Sequence, residues 1–179
     1  MFYLIFRISK GLEIIDNEYE ETLYRRSILL FIVYGVLTFL STKGLQDQSN
    51  FLLEFLRLIL SVAFSFFFGL IASFLLFKLE KLFGGEATFT ETCVLYTYAL
   101  VPQMLLISII WFLINTNYWS STSISRNAII LLFTGISLKI LLIGLVKLNK
   151  FSYLNGVAVL LIFATLVMGS IAFLFINWS

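Results

Sequence analysis

Histidine is missing altogether from these 179 residues, and cysteine and proline occur once each. Without histidine the chain lacks the commonest metal ligand and the usual general base near neutral pH. A single cysteine, Cys93, cannot form an internal disulfide. With no imidazole to take its proton, it is not set up as a nucleophile. Charge is also scarce: 12% of residues are charged and 60% apolar, against about 25% and 45–50% in globular domains. A surface covered mostly by lipid is the simplest physical account of that deficit. The formal net charge of +2, with no Lys/Arg run longer than two residues, gives no nucleic-acid surface. No metal-ligand spacing, phosphate loop or catalytic serine motif is present. An enzyme is therefore not expected, and no cofactor is. The opening MFYLIFRISKG has too short an apolar run for a signal peptide, so no cleavage is expected.

What is present is a series of long apolar stretches. They predict an all-α integral membrane bundle of five transmembrane helices occupying 27–177, with spans at about 27–42, 58–77, 99–115, 127–146 and 155–176. Residues 1–26 are the most polar part. Phe2, Ile5, Leu12, Ile15, Tyr19 and Leu23 recur there at helical spacing, which suits an amphipathic helix in the membrane interface. The first span is short for a hydrocarbon core of about 30 Å. Arg25, Arg26 and Lys43 can extend it by burying their stems and sending their charges outward. Glu54 and Arg57, at i and i+3 before the second span, are spaced for an interfacial ion pair. Inside that span Ser61, Ser65, Gly69 and Ser73 recur every fourth residue. Small residues at that interval let a neighbouring backbone approach closely, a main source of helix association in lipid.

The stretch Gly84–Pro102, GGEATFTETCVLYTYALVP, joins the second and third spans. Gly84 and Gly85 predict a helix stop, and Thr88 with Glu91 a capping box opening the next helix. Pro102 predicts a kink, with the semi-polar residues before it at the membrane surface. Tyr96, Tyr98, Tyr118 and Trp119 suit the headgroup belts.

Lysines and arginines test the five-span plan. The N-terminal segment and the loops at 78–98 and 147–154 hold four, two and two, eight in all, and the opposite side holds three. The positive-inside rule then places the N-terminus in the cytoplasm and the C-terminus outside. The remaining cation, Lys139, falls within the fourth span. Ionisable residues there cost about 2.5–3.5 kcal/mol on insertion scales and mark functional sites by default. Two readings follow, a snorkelled lysine or a ligand site within the bundle, with Asn155, Glu86, Glu91 and Tyr98 as partners on the same side.

A span ending in Gly84-Gly85, then Phe89-Thr90-Glu91-Thr92, then Tyr98-x-x-x-Pro102, resembles the Yip1 family of membrane proteins, most closely its short bacterial members. The resemblance implies a five-span fold with a cytoplasmic N-terminus in the plasma (inner) membrane. For function the expectation is a non-enzymatic scaffold or adaptor, in contact with the bilayer and with a protein partner at the cytoplasmic turn. An oligomer is compatible with this. The alternative is a small-solute or lipid transporter using Lys139.

Overall fold

The computed structural model describes residues 19–43, 51–115 and 123–176, and among them every regular element is a helix. The five are α1 (Glu20–Lys43), α2 (Phe51–Leu82), α3 (Phe89–Asn115), α4 (Ser123–Leu148) and α5 (Tyr153–Ile176). The first four are long and apolar enough to cross a membrane, and the described apolar part of α5, Tyr153–Val167, is shorter. At 1.5 Å per residue the 32 residues of α2 measure about 48 Å, well beyond one hydrocarbon core. Its uncharged part ends at Phe77, so its last turn, with Lys78, Glu80 and Lys81, extends past the apolar layer.

Packing contacts fix the arrangement. Gly35 of α1 lies against Val62 and Ser65 of α2, and Phe31 against Gly69, so these two helices are antiparallel. Phe31 also meets Tyr96 of α3, while Leu37 and Leu40 lie near Ile107 and Trp111. Helices α1 and α3 therefore run parallel. The N-termini of α1 and α3 and the C-terminus of α2 share one end, here the turn end, with the α4–α5 connection.

The small-residue ladder is the α1–α2 seam. Ser61 Oγ donates to the Gly35 carbonyl at 2.9 Å, and Ser73 Oγ to the Gly69 carbonyl of its own helix at 2.8 Å. A Cβ on Gly69 would overlap the buried Phe31 ring. Glycine there is a requirement of close approach.

Helix α3 is the centre. Thr92, Cys93, Val94, Leu95, Thr97, Tyr98 and Ala99 are all buried, in contact with α1, α2 and α4. One helix runs unbroken from Phe89 through the proline, and the burial of its first turns corrects one expectation. Tyr98 and Tyr96 are packed into the bundle rather than set in a headgroup belt, Tyr96 against Phe31 and Phe163. The physical reason is that lipid tails are as apolar as leucine, so burial in a bundle does not favour the most apolar helix. Semi-polar α3, whose hydroxyls bond locally, as Thr97 Oγ1 does to the Val94 carbonyl at 2.8 Å, takes the middle.

Residues 1–18, and with them most of the expected interfacial helix, lie outside the described residues, as do Tyr118 and Trp119. Residues 20–26 belong to α1 and continue into the first apolar segment without a break.

Candidate functional site at the turn end

Helix α2 stops in a Schellman motif. Gly84 takes a left-handed φ of 79°, its amide bonds to the Lys81 carbonyl at 3.1 Å, and the Gly85 amide to the Glu80 carbonyl at 2.8 Å. That pair of bonds satisfies carbonyls the helix end leaves over. Lys81 Nζ then donates to the Gly85 carbonyl at 2.9 Å. Three residues on, Thr88 and Glu91 form a capping box: the Thr88 amide donates to Glu91 Oε2 at 2.7 Å, and the Glu91 amide to Thr88 Oγ1 at 3.3 Å.

Helix α4 ends in the same way with a non-glycine residue. Lys150 has φ 53°, and the Phe151 amide reaches the Val146 carbonyl at 3.1 Å. Ser152 Oγ caps α5 by accepting from the Asn155 amide at 3.2 Å. The two connections are bonded together. Buried Asn149 accepts from the Ala87 amide through Oδ1 at 3.1 Å, and Lys150 Nζ pairs with Glu86 Oε2 at 2.6 Å. Gly85 sits so close beneath Asn149 Oδ1 that a Cβ would overlap it.

At the centre is Glu80, with no solvent exposure. Its Oε2 lies 2.7 Å from Thr92 Oγ1, which is also 3.1 Å from the Thr88 carbonyl. The Asn149 carboxamide is beside the carboxyl, yet neither Glu80 Oε1 nor Asn149 Nδ2 completes a hydrogen bond. Burial pushes the Glu80 carboxyl up to about 7, against the lowering influence of Thr92, Asn149 and Lys81, and Glu91 adds to the rise. A carboxyl in this state holds or moves a proton at neutral pH. Among the described residues no group of three His, Cys, Asp or Glu gathers to hold a metal.

The family model described as the Yip1 domain matches residues 9–176. The chain belongs to the Yip1 family. No curated protein and no solved structure matches it. Its Yip1 domain and several apolar helices make it a multi-pass membrane protein.

Within that Yip1 domain the residues singled out by sequence fall in several different places. Gly84, Gly85, Thr88, Glu91 and Glu86 all lie at the turn end, occupied with one another or with the α4–α5 connection. Tyr98 and Pro102 are buried in α3, and Asn155 is half-exposed on the first turn of α5. Glu54 and Arg57 are far away, half-buried and exposed on the first two turns of α2. Lys139 is not inside the bundle, which corrects the ligand-site reading. Helix α4 packs through Ile140, Leu141, Gly144 and Leu145, and Lys139 projects from the opposite, exposed face, leaving it to snorkel.

Glu80, Thr92 and Asn149 carry the site, and sequence reasoning missed Glu80 and Asn149. Glu80 reads as one of three charges at a helix end, and Asn149 as a loop residue. The only available signal was that Glu80 precedes Gly84 by four residues, within reach of the chain's return.

Proposed function

We propose that this Yip1-family protein is a non-enzymatic scaffold or adaptor of the plasma (inner) membrane, and that its turn end faces the cytoplasm and carries a protein partner. The observation that supports this most is how the polar groups of that end are employed. Glu80 with Thr92, Asn149 with Ala87, Glu86 with Lys150 and Thr88 with Glu91 bind each other, so they make a rigid platform rather than an open reaction centre. Large apolar side chains stand out from the same platform: Leu82 is 79% exposed and Leu154 78%. Apolar groups projecting at a water-facing end are suited to a partner surface. The excess of Lys and Arg on this side supports the cytoplasmic orientation.

A photo-crosslinking residue placed at Leu82 or Leu154 in native membranes is expected to capture one dominant protein. Capture of lipid alone at both positions would overturn the adaptor reading. A reporter fused after Ser179 is expected to be active outside the cytoplasm, and activity only in the cytoplasm would reverse the orientation.

A further inference from the structure

Thr92 Oγ1 has a single proton and two oxygen neighbours, Glu80 Oε2 at 2.7 Å and the Thr88 carbonyl at 3.1 Å. A backbone carbonyl can only accept. If the hydroxyl donates to Thr88, the short contact to Glu80 needs its proton from the carboxyl. A protonated Glu80 lets both contacts be hydrogen bonds at once: Oε2–H donates to Thr92 Oγ1, and Thr92 O–H donates to the Thr88 carbonyl. The remaining oxygen, Oε1, has no hydrogen bond, nor has the Asn149 Nδ2 beside the carboxyl, and an unfilled oxygen is cheaper to bury on a neutral acid than on a carboxylate. An ionised Glu80 draws the Thr92 proton to itself, leaves the Thr88 carbonyl to the Thr92 amide alone, and places a charge out of reach of solvent.

We propose that Glu80 is a proton-operated latch: as a neutral acid it fastens the end of α2 to α3 beside the Asn149 that ties the two connections, and its ionisation loosens the turn end. Three segments converge on this one carboxyl, which gives a single proton leverage over the whole turn end. The inference is independent of which partner the platform carries.

The surroundings leave Glu80 as the group that changes. Lys81 on its own helix and Glu91 on α3 act on it with opposite sign. Glu86 and Lys150 neutralise each other on the connections, Lys147 is exposed, and Lys78 points over the Phe74 ring. Helix α1 brings Glu20, Glu21 and Arg25 at exposed positions, with Arg25 paired to Glu21. The described part of α5 contributes only the phenol of Tyr153.

The direction of the pH effect follows. With the folded carboxyl at about 7 and its ordinary value at 4.5, the docked form binds the proton more tightly than the released form. The latch's contribution is complete below about 4.5, weakens as pH rises, and is lost above about 7. Between pH 6 and pH 8 the ionised fraction of such a group rises about tenfold.

The test uses the full chain purified in detergent. Ala87 is 2% exposed and Leu82 79%, so in a chain whose own buried thiol is removed by Cys93→Ala, maleimide labelling of Ala87→Cys, divided by that of Leu82→Cys at the same pH, reports undocking with most of the thiol's own pH dependence divided out. That ratio is expected to rise severalfold from pH 6 to pH 8. With Glu80→Gln added, which keeps a neutral donor and acceptor, it is expected to stay low and flat. A flat ratio with Glu80 present, or the same rise with Glu80→Gln, overturns the proposal. Infrared spectra of the unsubstituted chain give a second readout. A protonated-carboxyl band is expected at pH 6, lost by pH 8 and absent from Glu80→Gln, and no such band at pH 6 would also overturn it.

Discussion

The two ends of this bundle are held by different forces. At the turn end directional bonds tie the two connections, Asn149 to the Ala87 amide, and α2 to α3, Glu80 to Thr92, around Gly85, which has no room for a side chain. Toward the other end α1 and α3 line an apolar groove of about 280 Å³, formed by Leu37, Leu40, Ile107, Ser108, Trp111 and Phe112. The apolar side chains around Glu54 and Arg57 on the first turns of α2 are largely exposed there, from Phe51 through Leu60. Lipid can fill such a groove without a specified shape, whereas buried polar groups must find partners at set distances. The teaching of the contrast is that in a membrane the polar residues, rather than the apolar ones, specify geometry.

The largest effect should come from crowding the specified end. Gly85→Val places atoms where Asn149 Oδ1 and the Glu80 carbonyl already stand. We expect a loss of about 3 kcal/mol, the upper range for overpacking, read as thermal unfolding in mild detergent. Gly135→Ala, at a helical position with nothing within 4 Å of the added Cβ, should instead gain up to about 1 kcal/mol from helix propensity. Equal losses at both positions would erase the distinction between the ends.

Asn149→Ala comes next. It removes the acceptor of the buried Ala87 amide, and an unsatisfied buried donor costs about 1–3 kcal/mol. Hydrogen exchange at the turn should quicken more than exchange in the α1–α2 seam. A uniform change across the bundle would mean that the turn is not a separate unit. Thr88→Ala is expected to cost about 1 kcal/mol, the usual value of an N-cap, with exchange rising in the first turn of α3 only.

How much of this was legible in the sequence depended on the range of each interaction. The helix stop at Gly84 and the capping box of Thr88 and Glu91 are formed by residues three to five apart, so spacing alone suggested them. The Ser61–Ser73 ladder pointed to close packing, but its partner is set by how α1 folds back, and nothing within α2 names Phe31 or Gly35. Glu80 and Asn149 are 69 positions apart, and each becomes special only when α3 fills the middle of the bundle. Tyr98 was misplaced for the same reason. An amphipathic ring suits a headgroup belt or a semi-polar core equally well, and helix order decides between them. Lys139 shows the limit of composition, since a charge in an apolar run does not reveal which face of the helix carries it.

The smallest effect concerns Lys150, where strain and charge oppose each other. Its left-handed φ of 53° costs a non-glycine residue about 1–2 kcal/mol. Its ion pair with Glu86 is largely exposed, 74% and 60% at the two side chains, and such pairs contribute about 0–1 kcal/mol. Lys150→Gly relieves the first and forfeits the second, so the net change should stay within about 1 kcal/mol and lean toward a gain. Glu86→Gln loses the pair alone, and its cost should shrink further as salt is raised. If Lys150→Gly proved more damaging than Asn149→Ala, surface charge rather than the buried amide and carboxyl would be holding the turns together. The turn end would then be specified from outside, and its contrast with the grooved end would rest on electrostatics instead of on buried hydrogen bonds.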